Sequence, residues 1–255
     1  MIGPYKVNDF YHGDALELLT FIPNNSIDLI ITDPPFGIDF KHNMGFYNRK
    51  QSNVMYGYKE VRKENYYEFS LKWIKESWRV LKANGSIYIV SGWTNLKDIL
   101  NAIDNTGFNL INHIIWKYQF GVYTKKKFVT SHYHILYCVK NPKNYTFNKI
   151  ENYPEDVWII NRDYQPNKVK TPTRLPEKLV EKIILYSSKE GDIILDPFAG
   201  SGTVGVCAKK LNRNFICFEI VKEYVELAKY RLTHGDFPKE EKTKKIEEEL
   251  PLFTK

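Results

Sequence analysis

The 255 residues predict an α/β fold: one doubly wound, mostly parallel sheet of seven strands with helices on both faces. Three observations predict it. Short runs rich in Ile, Val, Leu and aromatics recur at 8–12, 27–32, 86–90, 110–116, 134–139, 192–196 and 214–218, as buried strands require. Helical patterns fall between several of them. Asn84-Gly85, Gly107 and Gly191 supply turn and helix-stop signals after three of those patterns. Strands alternating with helices are the pattern of a parallel sheet covered on both sides.

The elements follow in order. The run at 8–12 leads into a helical pattern at 14–21. Ile27-Asp28-Leu29-Ile30-Ile31-Thr32 is the next strand, and two prolines end it. A helix over 64–81 stops before Asn84-Gly85, and the strand at 86–90 follows. A helix over 95–105 stops at Gly107. The strands at 110–116 and 134–139 flank a segment that contains Lys125-Lys126-Lys127. A helix at 177–187, a strand at 192–196, a helix at 203–211, a strand at 214–218 and a helix at 223–232 complete the alternation. Residues 37–63 and 141–173 break it, and long irregular stretches in a compact domain usually carry function or disorder. From 236 the chain is a charged tail.

Composition narrows the function classes. Hydrophobic residues make up 43%, enough for a substantial core and against global disorder. No stretch approaches the roughly 18 apolar residues of a membrane span, and the N-terminus lacks the apolar region of a signal peptide. These features predict a soluble, cytoplasmic protein without a membrane partner. Cys138, Cys207 and Cys217 form no C-x-x-C pair, which argues against a disulfide framework or a structural zinc site. No metal is expected. The net charge is +7, and residues 41–82 carry +6 and residues 117–178 carry +7, so the rest of the chain is acidic. Such concentration suits a polyanion partner.

Two motifs carry chemistry. Asp33-Pro34-Pro35-Phe36 directly follows the strand 27–32, where ligands bind in an open α/β sheet. The prolines fix φ at two successive positions and remove two N–H donors. The result is a stiff corner with free carbonyls, one carboxylate and one aromatic. It suits an exocyclic amine, whose lone pair is delocalised into its ring. Two acceptors, Asp33 and the Pro34 carbonyl, would favour a tetrahedral nitrogen and offset the charge that develops on alkylation. Phe36 would stack on the base, which must leave the duplex to be reached.

The second motif is Asp196-Pro197-Phe198-Ala199-Gly200-Ser201-Gly202-Thr203, a strand end, a small-residue loop and a helix start. Glu219 ends the next strand, 23 positions after Asp196, near the spacing of a carboxylate that binds ribose hydroxyls. The pairing indicates an adenosine-containing cofactor. The loop has no Lys after its glycines and no full G-x-G-x-x-G, and a cofactor without a phosphate to cradle needs neither.

Together these motifs resemble the amino-directed DNA methyltransferases, in which D-P-P-[YF] is catalytic and F-x-G-x-G-T holds S-adenosylmethionine. The catalytic motif comes first here, a circularly permuted order similar to the beta group of that family. The resemblance covers about residues 5–232 and implies the S-adenosylmethionine-dependent methyltransferase sheet, with double-stranded DNA as partner. It implies one catalytic domain over 1–235, a substrate loop at 37–63, a small target-recognition insertion at about 141–173 and a tail at 236–255. Asp14 is similar to an acidic residue near the cofactor adenine. Leu175 lies in a segment (171–179) that resembles the one packing on the methionine part. Asp156-Val157-Trp158 resembles a recurring run. His134 departs from the family, where Glu is common.

In this family Asp before Pro-Pro goes mostly with adenine N6 and Ser with cytosine N4, so Asp33 implies adenine N6 with cytosine N4 as the alternative. An RNA or protein-glutamine acceptor, or an inactive DNA-binding subunit, are further alternatives. The resemblance also admits a cognate restriction endonuclease and a homodimer. Lys125, Lys126 and Lys127 are candidate phosphate anchors, and Arg49, Lys50, Arg62 and Lys63 are candidates to close over the displaced strand.

Overall fold

In the computed structural model, residues 1–36, 61–121, 123–163 and 174–238 are described. The strands are β1 (Asp9–His12), β2 (Ile27–Thr32), β3 (Leu81–Ser91), β4 (Asn109–Lys117), β5 (His132–Val139), β6 (Val157–Ile159), β7 (Ile193–Asp196) and β8 (Asn214–Glu219). The helices are α1 (Ala15–Leu18), α2 (Tyr66–Val80), α3 (Leu96–Asp104), α4 (Glu177–Ser187), α5 (Thr203–Lys210) and α6 (Lys222–His234).

Among the described residues, one sheet contains eight strands in the order β1-β8-β7-β2-β3-β5-β4-β6. The expected seven strands are corrected to eight. The extra one is β6, only three residues long, paired parallel to β4 from Ile115↔Val157 to Lys117↔Ile159. Its edge position explains why its sequence has no long apolar run. Pairing is parallel from β1 through β3 and antiparallel at β3/β5 and β5/β4.

Side chains alternate across the sheet, as the pleat dictates. Leu29, Ile31, Tyr88, Ile194 and Phe215 join one core with α4, α5 and α6. Ile30, Ile87, Ile89, Leu195 and Ile216 join the other with α2 and α3. Both faces are therefore covered, as the alternating sequence predicts.

The expected helix 14–21 is shorter, with α1 followed by a 3-10 turn at Leu19–Phe21. The helix expected to end at 81 ends at Val80, but Asn84-Gly85, expected as the turn after it, falls inside β3. Val80 ends α2, Leu81 is already extended at ψ 135°, and pairing jumps from Ile27↔Leu81 to Leu29↔Ser86. Residues 82–85 thus form an irregularity in the strand rather than a helix terminus. Asp28, the polar residue of an apolar run, accepts from Lys82 Nζ at 2.7 Å and from the Ile193 N–H at 2.9 Å. It ties β2 to both neighbours. Among the described residues, no helix is long and apolar enough to cross a membrane.

Candidate active site

The chain leaves β2 toward β3 on one side and leaves β7 toward β8 on the other, while β2 and β7 are neighbours. Their carboxyl ends form the topological switch point, where open α/β sheets bind ligands. A cavity of about 370 Å³ opens there, within the usual range for small-molecule sites. Its walls come from the ends of four parallel strands: Asp14 after β1, Asp33 after β2, Asp196 at the end of β7 and Glu219 at the end of β8. Residues 163 positions apart in sequence, Asp33 and Asp196, thus face one space.

The proline corner lies in this wall. Asp33, Pro34, Pro35 and Phe36 all line the cavity, with Pro34 buried and the other three half-buried. Phe36 packs against Gly92, and its ring centroid lies 6.1 Å from that of Tyr133, another lining residue.

The glycine loop lines the same cavity through Asp196, Pro197, Phe198, Ala199, Gly200, Ser201 and Thr203. Phe198 is wedged between Phe69 (centroids 5.8 Å apart) and Trp73 (5.6 Å, edge-on), which fixes the loop to α2. Gly202 is not a lining residue, yet only glycine fits there. Its φ is +81°, and a Cβ would lie 2.6 Å from Ala228 Cβ and 2.8 Å from the Phe10 ring. Its role is to turn the chain into α5 and let the loop pack closely.

Glu219 holds the loop in place. Its Oε2 accepts from the Gly200 N–H at 2.7 Å, and its Oε1 from the Val221 N–H at 2.8 Å. Burial raises its pKa, against the lowering effect of these backbone donors. Asp196 Oδ1 accepts from the Phe198 N–H at 3.0 Å. Burial, reinforced by the Asp33 and Glu219 carboxylates, pushes the Asp196 carboxyl up to about 8, although the Phe198 N–H opposes the shift. The cavity therefore holds more acidic groups than it can comfortably ionise together. Asp14 caps α1, accepting from the Leu16 N–H at 2.8 Å.

Sequence reasoning missed Arg231. It is 1% exposed and lies behind the glycine loop. Its Nη1 donates to the Ser201 carbonyl at 2.6 Å and lies 3.3 Å from Thr203 Oγ1. Nη2 reaches Glu177 Oε1 at 3.3 Å. One signal could have found it: Arg231 continues the buried stripe of α6 through Tyr224, Val225 and Ala228, and a cation on a buried helix face needs partners. Arg231→Met leaves the Ser201 carbonyl without that donor. It is expected to lower unfolding free energy by about 2–3 kcal/mol in chemical denaturation; an unchanged midpoint would show that these bonds contribute nothing.

The remaining expectations divide cleanly. Leu175 lines the cavity, as does its neighbour Arg174. Arg62 and Lys63 are exposed at the start of the turn into α2, next to Val61, a lining residue. Lys125, Lys126 and Lys127 are exposed on the β4–β5 connection. Arg49 and Lys50, most of the 37–63 loop, the end of the 141–173 insertion and the tail beyond 238 lie outside the described residues. His134 pairs with His113, Nδ1 to Nε2 at 2.7 Å. Burial, followed by His113 and His132, lowers the His134 pKa to about 4.

The sheet is that of the S-adenosylmethionine-dependent DNA methyltransferases. The solved M1.HpyAVI–SAM complex aligns with a TM-score of 0.69 and 29% identity, covering 88% of this chain and 98% of that one. The chain belongs to the DNA methylase family of the N6/N4 type, whose model matches residues 27–230. The type II methyltransferase M.HpaI of Haemophilus parainfluenzae is 36% identical over 239 residues, 86% of this chain and 72% of its own length. The DNA adenine methyltransferase YhdJ of Escherichia coli K12 is 34% identical over 251 residues, 87% of this chain and 81% of its own.

Proposed function

We propose that this protein transfers a methyl group from S-adenosylmethionine to the N6 amino group of a flipped adenine in double-stranded DNA. One observation carries the reading: the Asp33-Pro34-Pro35-Phe36 corner and the glycine loop, through Phe198, Ala199, Gly200, Ser201 and Thr203, line a single cavity. Family membership and the likeness to YhdJ support it. The type II designation of M.HpaI supports a role in a restriction–modification system.

The cleft fits the cofactor. Its carboxylates suit a ligand that carries sulfonium and ammonium charges, and its loop offers no lysine for a phosphate. Glu219 would accept from the ribose hydroxyls, Asp14 would lie near the adenine, and Leu175 would pack on the methionine chain. S-adenosylmethionine, when bound, supplies the methyl group as an activated electrophile. The chain's own groups prepare the acceptor. Asp33 and the Pro34 carbonyl accept the two amino hydrogens and hold the nitrogen with its lone pair turned toward the loop. Phe36 stacks on the extrahelical base, an interaction worth roughly 1–3 kcal/mol. Such fixed acceptors need little reorganisation as positive charge develops on the nitrogen; the N–C bond would form as the sulfonium C–S bond breaks, leaving the thioether S-adenosylhomocysteine, and the nitrogen would then lose one of its two original hydrogens as a proton.

Asp196 makes cofactor binding depend on protons. Its pKa near 8 leaves it largely protonated at pH 7 in the free protein, and a nearby cation favours the carboxylate. Binding at pH 7.5 is therefore expected to release protons, read by calorimetry in buffers of different ionisation enthalpy. Proton-neutral binding would contradict this. The sign for stability follows from the same shift. The folded-state value is raised, so the Asp196 contribution is full below about 4 and is lost as pH rises through about 8. Asp196→Asn is expected to flatten the decline in melting temperature across that window.

The reaction is tested by offering DNA, RNA and protein to the purified chain with methyl-labelled cofactor. Label in DNA alone supports the reading; label in RNA or protein, or none, contradicts it.

A further inference from the structure

β4 runs parallel to β3 and β5 antiparallel to both, so the end of β4 and the start of β5 lie at the same edge of the sheet as Asp33 and Asp196. The β4–β5 connection therefore projects from the catalytic edge. Its root is firmly held. The Tyr118 N–H donates to the Ser131 carbonyl at 3.0 Å, and Lys117 Nζ donates to Ser131 Oγ at 3.0 Å. Gly121 approaches Thr130 so closely that a Cβ would overlap its carbonyl oxygen. Arg162 lies 3.9 Å over the Tyr118 ring and 5.4 Å from that of Tyr133. Because Tyr133 lines the cavity and neighbours Phe36, the root of this hairpin is continuous with the base-side wall of the site.

Its outer part has a different character. Phe120, Tyr123, Phe128 and Val129 are 64%, 78%, 100% and 40% exposed. A single exposed apolar residue needs no explanation. Here four occur within ten residues, interleaved with Lys125, Lys126 and Lys127 and with no acidic residue between 120 and 129. Three cations beside a fully exposed phenyl ring match a duplex: phosphates outside, an apolar base stack within. A flipped base leaves a gap in that stack and an unpaired partner base, and apolar wedges are how proteins occupy opened base steps.

We propose that Phe128 enters the duplex and fills the space vacated by the target base, while the adjacent lysines rest on flanking phosphates. The inference rests on the proposed reaction and adds to it a residue that stabilises the opened duplex. Phe128 is a positioning residue: it touches neither cofactor nor the reacting nitrogen. Its ring stacks on neighbouring bases and opposes return of the adenine to the helix.

The test uses the full chain and two duplexes that contain the sequence the wild type methylates. One is fully paired, and the other lacks the base opposite the target. Phe128→Ala is expected to lower kcat/KM at least about tenfold on the paired duplex and to remain within about threefold of wild type on the other, where no pair has to be broken. Phe128→Trp is expected to keep at least about a third of the paired rate, because it retains an aromatic wedge. Full exposure of Phe128 makes misfolding of these variants a poor explanation for any loss. Paired-duplex rates within twofold of wild type for Phe128→Ala would overturn the proposal, as would an equal loss on both duplexes. A wild-type chain that methylates no DNA removes the reaction on which the proposal rests, and that result is distinct from either variant result.

Discussion

Asp33→Ala is expected to abolish methyl transfer while leaving cofactor binding nearly intact: kcat at least about 100-fold lower, with cofactor Kd changed by less than about threefold. The asymmetry follows from position. Asp33 comes from the proline corner after β2, whereas the loop 198–203 follows β7 and Glu219 ends β8. Removing it deletes an acceptor that matters most as charge develops on the nitrogen, and so acts on kcat. Asp33→Asn is the informative companion. It keeps a carbonyl acceptor in nearly the same place and loses the charge, so it is expected to fall between alanine and wild type. Rapid-quench kinetics with calorimetry of cofactor binding separate the effects. Retention of more than about 5% of kcat by Asp33→Ala would end the assignment of Asp33 as the amine acceptor.

Glu219→Ala is expected to act on the other side of the site. Cofactor Kd should rise at least about 30-fold, equivalent to about 2 kcal/mol. The side chain does two things at once. It accepts the Gly200 and Val221 N–H groups, fixing the loop, and it lines the cavity where ribose hydroxyls would bind. Glu219→Gln keeps one acceptor oxygen and is expected to lose less. Equal cofactor affinity for Glu219→Ala and wild type would refute both roles.

Much of this was legible in the residues, for identifiable reasons. The central strands are buried on both faces, so 27–32, 192–196 and 214–218 read as continuous apolar runs, and their expected and observed bounds nearly coincide. The proline corner and glycine loop announce themselves because each needs a backbone that few residues permit; Gly202 at φ +81° is the clearest case. The edge was harder. β6 has three residues and one buried side chain, Trp158, too little for a period to register. The Asn84-Gly85 signal was real but marked an irregularity in β3, because the preceding helix had already ended at Val80. Arg231 was invisible as a partner of the glycine loop because the pairing joins residues 30 apart through tertiary packing. The Asp196 shift likewise depends on burial and on carboxylates from two other strands.

The central claim is methylation of adenine N6 in DNA. It is tested most directly by single-molecule sequencing of DNA from a methylation-null host that expresses the folded chain. The account predicts N6-methyladenine at one defined sequence, lost in cells that express Asp33→Ala. N4-methylcytosine would contradict the choice of base, and unmodified DNA from cells containing soluble, folded protein would contradict the account itself.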